Sequence, residues 1–237
     1  MNLEWTEVSE ATSGLLSLFG LAEWWRTAFT ETEREYIESV YKPFGSDPSE
    51  RLLTGSHFAA GTKTTDTPVS LLYGLAQWFT SKTDIDIAKR IIAKADELAT
   101  PDLPVLDLHF HYSTMIRVYY KDRDVPASLA RSVWACQKQI ELSPQAASEF
   151  KREHRALRAS VHRGGYDSKL PARCKLPRHI GFQQMCIILE KDGDFKGALR
   201  LAKRAFREGW DGDWDRRIPK LEKRVESTKK IPKSRKA

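Results

Sequence analysis

The sequence predicts an all-α protein, a short α-solenoid of helical hairpins behind an N-terminal helical cap. Apolar residues recur at i, i+3, i+4 and i+7 along much of the chain, the spacing of one helix face. No segment alternates with period two over a useful length, so no sheet is expected. Three stretches also superpose on one another by offsets of 110 and 70 residues, as repeated units do. At 237 residues the chain can bury a core as one domain or two without metals or disulfides.

The cap and its loop are expected over 1–66. Leu15, Leu16, Leu18, Phe19, Trp24, Trp25 and Phe29 have the mixed three- and four-residue spacing of a buried helix. Thr30 with Glu33 forms a capping box that opens a helix over about Glu31–Tyr41, ended by Pro43 and Gly45. Asp47-Pro48 with Glu50 predicts a helical turn over Pro48–Leu53, and the Thr-rich stretch Gly61–Asp66 predicts a mobile loop.

Repeats are expected over 67–226. Thr67-Pro68 is an N-cap with proline at the first helical position. Three first helices carry matching apolar faces: Leu72, Leu75, Ala76 and Phe79; Tyr112, Met115, Ile116 and Tyr119; Phe182, Met185, Cys186 and Leu189. Polar turns follow at Lys82–Asp84, Lys121–Asp124 and Lys191–Asp194. Second helices show Ala88, Ile91, Ile92 and Ala95 in the first unit, and Ala198, Leu201, Ala202 and Ala205 in the third. The middle unit has Ser128, Arg131 and Ser132 there, which predicts a second helix that packs differently or is shifted.

These hairpins of about 34 residues resemble the tetratricopeptide repeat (TPR). The third unit carries the likeness best, with Phe182, Met185 and Cys186, then Gly193, Phe195, Ala198, Ala202 and Ala205. Phe182, Leu189 and Trp210 replace the consensus Trp, Tyr and final Pro, as in a degenerate member similar to bacterial TPR-like proteins. The likeness covers about 100 residues in three separated units. It implies a non-enzymatic adaptor or scaffold that holds a partner peptide or helix in a concave groove lined by first helices. Tyr73, Gln77, His111, Arg117, Gln183 and Gln184 flank the packing faces and are the candidate groove residues. The carboxylate clamp of some TPR domains uses asparagines, and the single asparagine here is Asn2, outside the repeats.

The net charge of +7 conceals an asymmetry: residues 1–150 carry −7 and residues 151–237 carry +14. Much of the excess lies on an inserted helix over 144–163, from Ser143-Pro144 to a stop at Gly164-Gly165, and on the loop after it. Arg152, Arg155, Arg158, Arg163, Lys175 and Arg178 form a candidate basic patch, with Tyr166 or Trp210 available to stack. The patch fits an acidic protein partner or, alternatively, nucleic acid. Residues 227–237, with five basic groups and no acid, predict a basic disordered tail.

Other chemistry finds little support in the sequence. Asp107, His109 and His111 would share a face on a strand, but on a helix i and i+2 point about 200° apart. Asp211, Asp213, Asp215 and Glu222 follow EF-hand spacing, yet Arg216 replaces the required glycine. Cys174 and His179 have no third residue to orient them, and no Walker loop, H-E-x-x-H or G-x-S-x-G is present. No cofactor, metal or catalytic residue is therefore expected. Three cysteines without metal spacing, an acidic N-terminus and no long apolar run lead us to expect a cytoplasmic chain without a membrane span.

Overall fold

Helix follows the apolar spacing closely in the computed structural model, which describes residues 6–7, 12–47, 49–61, 63–163 and 171–230. Eleven helices and six strands of two or three residues lie among them, so the protein is all-α. The chain divides into two compact units, Met1–Asp102 and Leu103–Ala237.

The first unit runs β1 (Thr6–Glu7), β2 (Thr12–Ser13), α1 (Leu15–Leu18), α2 (Ala22–Ala28), α3 (Glu31–Val40), β3 (His57–Phe58), β4 (Lys63–Thr64), α4 (Pro68–Ala76) and α5 (Ile85–Leu98). The strands form two antiparallel ribbons, β1 with β4 and β2 with β3. One of them passes through Gly61–Asp66, so part of that stretch is paired strand rather than loop. Leu52–Gly55 forms a turn where a helical turn over Pro48–Leu53 was expected, and Pro48 itself lies outside the described residues. The buried Glu38 carboxylate holds this turn, accepting from the Leu53 amide at 3.3 Å and the Thr54 hydroxyl at 2.5 Å. Gly14 (φ +79°) starts α1 close by, and a Cβ there would lie 2.3 Å from the Leu53 carbonyl oxygen.

The expected capping box of Thr30 with Glu33 forms on α3, and Thr67, expected as the N-cap of α4, makes a second one with Ser70. Glu33 also pairs with Arg90 of α5. The Arg90 guanidinium, then the Thr30 amide, holds the Glu33 carboxyl down at about 2. Arg90 donates to the Ala28 carbonyl at 2.7 Å as well, and Tyr36 and Tyr41 of the α3 segment meet Phe79 and Trp78 edge-on. The N-terminal helices therefore share a core with the first hairpin, and both lie in the unit that ends at Asp102. Thr30→Ala should cost about 1 kcal/mol of stability by removing the cap, read as a lower urea midpoint with an unchanged m-value.

The second unit contains α6 (Val105–Lys121), α7 (Pro126–Glu141), α8 (Ser143–Arg163), β5 (Leu176–Arg178), α9 (Ile180–Lys191), α10 (Phe195–Glu208), β6 (Trp210–Asp211) and α11 (Trp214–Lys230). Helices α6–α7 and α9–α10 form hairpins, joined where α7 packs on α9. Helix α8 lies against α6, and α11 covers α10. The middle hairpin is not shifted. Ser128, Ser132 and Ala135 are buried at the places of Ala198, Ala202 and Ala205. The serine hydroxyls are satisfied there, Ser128 donating to Asp122 at 2.7 Å and Ser132 to the Ile116 carbonyl at 3.4 Å. Small size sets the helix–helix approach, and a bonded serine serves as well as alanine. Arg131 is exposed and Leu201 half-buried, so neither occupies the seam. Helix α11 continues through Ser227–Lys230, where a disordered tail was expected. Gly164, Gly165, Tyr166 and 231–237 lie outside the described residues.

Candidate functional site

Two surfaces and one buried cluster of the second unit hold the chemistry-bearing residues. Helix α8 buries Ala146 and Ala147 and turns Phe150 toward Phe110 and His109 of α6. At about 100° per residue, Arg152, Arg155 and Arg163 fall within an 80° arc on the opposite side, and all three are exposed. Arg158 points sideways and donates from Nη1 to the Ala172 carbonyl at 2.8 Å. The Cys174 thiol reaches the Phe150 carbonyl at 3.6 Å. These two contacts lay 172–174 along α8 and bring exposed Lys175 and Arg178 up beside it. The structure thus draws the patch together, with Arg158 as its strap. Arg152 pairs with Glu149, whereas Arg155, Arg163, Lys175 and Arg178 have no carboxylate partner among the described residues.

Beyond Lys175 the strand β5 pairs in parallel with β6 and forms one side of an open cleft of about 460 Å³. Leu176, Phe206, Trp210 and Trp214 supply its apolar lining, and Lys175, Asp211 and Asp215 its charge. Trp214 is fixed by its Nε1–H bond to the Trp210 carbonyl, 2.9 Å. Gly212 leaves room for that indole, since a Cβ there would come within 2.6 Å of it. Trp210 is 2% exposed and Phe206 is 53% exposed. The sequence offered Trp210 for stacking on a ligand, but its ring is spent inside the protein and Phe206 is the accessible aromatic.

Trp210 lies in a buried aromatic cluster that sequence reasoning missed. His109 stacks on it with 8° between planes, and His179 meets it edge-on at 4.6 Å. The two imidazole centroids are 5.1 Å apart. One signal for this pair was in the sequence: the 70-residue offset that aligns the second and third units also aligns His109 with His179. Gln139 bridges the hairpins around them. Its Oε1 accepts from the Gly181 amide at 2.6 Å and its Nε2 donates to the His109 carbonyl at 2.9 Å. Gly181 permits this approach, because a Cβ would sit 2.8 Å from that Oε1. His179 caps α9, its Nδ1 accepting from the Phe182 amide at 3.3 Å, which puts the ring proton on Nε2. Burial above all holds both imidazoles neutral, lowering His109 to about 4 and His179 well below the ordinary value, the latter helped by the neighbouring His109.

The candidate groove residues separate. Tyr73 lies half-buried on α4 of the first unit, and Gln77 is exposed at its C-cap. In the second unit Arg117 is exposed on α6, and Gln183 and Gln184 are half-buried on α9. His111 is completely buried in the packing of α6. It can line no accessible groove, and this corrects its assignment.

The metal readings do not assemble. His109 and His111 both sit on helix α6; Glu222 pairs with Lys203, and Asp213 with Arg217. Among the described residues no group of three or more potential ligands converges. Cys174 is turned to backbone carbonyls and the His179 Nδ1 is committed to its cap, so they form no nucleophile–base pair. No described helix is long and apolar enough to cross a membrane. Comparison with protein-family models, curated proteins and solved structures finds no match to this chain, so the residues described above carry the functional reading by themselves.

Proposed function

We propose that the protein is a non-enzymatic, cytoplasmic adaptor or scaffold that holds a partner peptide or helix against its helical hairpins, as a degenerate TPR-like protein would. One observation carries the reading. Hairpins α4–α5, α6–α7 and α9–α10 bury small residues at equivalent positions of their second helices: Ala88 and Ala95; Ser128, Ser132 and Ala135; Ala198, Ala202 and Ala205. Such a seam keeps helices close and leaves first-helix side chains to differ from unit to unit, which is how repeat proteins vary specificity on a common frame. Arg117, Gln183 and Gln184 supply polar contacts in the second unit, and Tyr73 and Gln77 do so in the first. Shape and apolar contact hold the partner, while charge steers its approach.

The test is recovery of a partner with the full chain as bait in its native cell. A single protein should co-purify in stoichiometric amount, and Arg117→Glu with Gln184→Ala should weaken its binding at least tenfold in a purified pair. Recovery of none, together with hydrolytic or transfer activity of the purified chain, would make the protein an enzyme instead.

A further inference from the structure

We infer that the outward face of α8, continued by Lys175 and the cleft at Phe206, is a docking surface for single-stranded nucleic acid. The inference goes beyond the adaptor reading and does not rest on it, since it uses none of the hairpin groove residues.

Residues 151–163 and 171–178 carry eight Lys or Arg side chains against one acid, Glu153. Of the arginines on the outward arc, Arg152 has Glu149 to answer it, and Arg155 and Arg163 have no carboxylate among the described residues. Repulsion within such a face is relieved by a ligand that brings negative charge from outside. Arginine dominates the face, and its planar fork binds phosphate oxygens in pairs.

The make-up of this face favours a polyanion over an acidic protein. Protein partners are anchored by apolar or aromatic side chains at the centre of an interface. The arc of α8 between Arg152 and Arg163 has none, only Ala159 lying on it, and the exposed Leu157 stands on the other side of the helix. Positions 152 and 163 are about 16 Å apart along the helix at 1.5 Å per residue, a span that several phosphates of an extended strand can follow. The strap from Arg158 to Ala172 then carries the basic track to Lys175. There the cleft, which Lys175 also lines, presents Phe206, 53% exposed. An accessible ring in a cleft shared with a phosphate-binding cation is the arrangement on which single-stranded bases stack. Asp211 and Asp215 also line the cleft; they repel phosphate there, leaving it to Lys175 and α8, and can accept hydrogen bonds from base amino groups.

The experiment is fluorescence anisotropy of a labelled 20-nucleotide single strand with the full chain, across a salt series from low ionic strength upward. Binding should weaken linearly in log–log form as salt rises, with a slope of about −0.7 for each phosphate contacted. Arg155→Glu with Arg163→Glu should weaken binding at least tenfold and flatten the slope by about 1.4. Phe206→Ala should weaken it about tenfold at unchanged slope. Arg155→Lys with Arg163→Lys, which keeps the charge, should retain most of the binding and its slope. An unchanged far-UV circular dichroism melt establishes that each variant is folded, since all these side chains are exposed. Absence of binding at low salt overturns the inference. So does equal binding by the Arg155→Glu, Arg163→Glu chain, which would assign the charge contacts to the C-terminal residues. Tighter binding of a polyglutamate peptide, or of duplex over single strand, overturns it as well.

Discussion

Replacing Trp210 by alanine is expected to destabilise the second unit by about 3–5 kcal/mol, the range for truncating a large buried aromatic. The indole touches His109, His179 and Phe150, so three helical segments lose a shared surface at once. Its Nε1–H also donates to Glu208 at 3.0 Å, near the end of α10. The cavity would open between elements held by separate hairpins, where closing it requires α8 and α9 to move together. Urea denaturation followed by far-UV circular dichroism should show the transition of this unit at a markedly lower midpoint. Phe44→Ala, at a fully exposed side chain of the first unit, should change stability by less than about 0.5 kcal/mol. A Trp210→Ala cost as small as that would mean that the cluster does not hold the hairpins together.

The two buried histidines make stability fall with acid in a window that can be stated. An unfolded histidine titrates near 6.5 and His109 in the folded chain near 4. Above pH 6.5 both states are neutral at this site and stability does not depend on pH through it. As pH falls from 6.5 toward 4, the unfolded chain takes up a proton that the folded chain refuses, so stability is lost. His109 alone accounts for about 3 kcal/mol across that window, and His179, shifted in the same direction, adds to it. The carboxyl of Glu33 works lower, since its stabilisation is present above the ordinary carboxylate value and is lost as pH falls toward 2. His109→Phe keeps a flat ring on Trp210 and leaves the backbone carbonyl that Gln139 uses. It should flatten the pH dependence between 6.5 and 4 by about 3 kcal/mol, measured as urea midpoints at a series of pH values. An unchanged slope would show that the ring is protonated in the folded protein.

Much of the helical layout was legible because local rules govern it. Thr30–Glu33 and Thr67-Pro68 announce helix starts within four residues, and the apolar faces of α4, α6 and α9 have the period of a helix. Ser128 and Ser132 were harder to read, because the sequence shows their polarity whereas packing responds to their size. The boundary after Asp102 depends on long-range contacts such as Tyr36 with Phe79 and Arg90 with Glu33, which no local spacing encodes. His111 was misplaced on an accessible face. Position beside an apolar stripe does not say whether a second element covers that side. The basic patch was visible as composition, but its continuity depends on Arg158 reaching Ala172 across fourteen residues. The aromatic cluster of His109, His179 and Trp210 joins residues up to about a hundred positions apart. Only the shared offset of the two histidines hinted at it.

The measurement closest to the central claim is site-specific photo-crosslinking of the full chain in its native cell, with the photoreactive residue placed singly at 117, 184 or 155. If the hairpins hold a protein partner, positions 117 and 184 should each yield the same discrete protein adduct. Position 155, on the outward arc of α8, should not yield it. No discrete protein adduct from 117 or 184, or an adduct formed from 155 alone, would contradict the account.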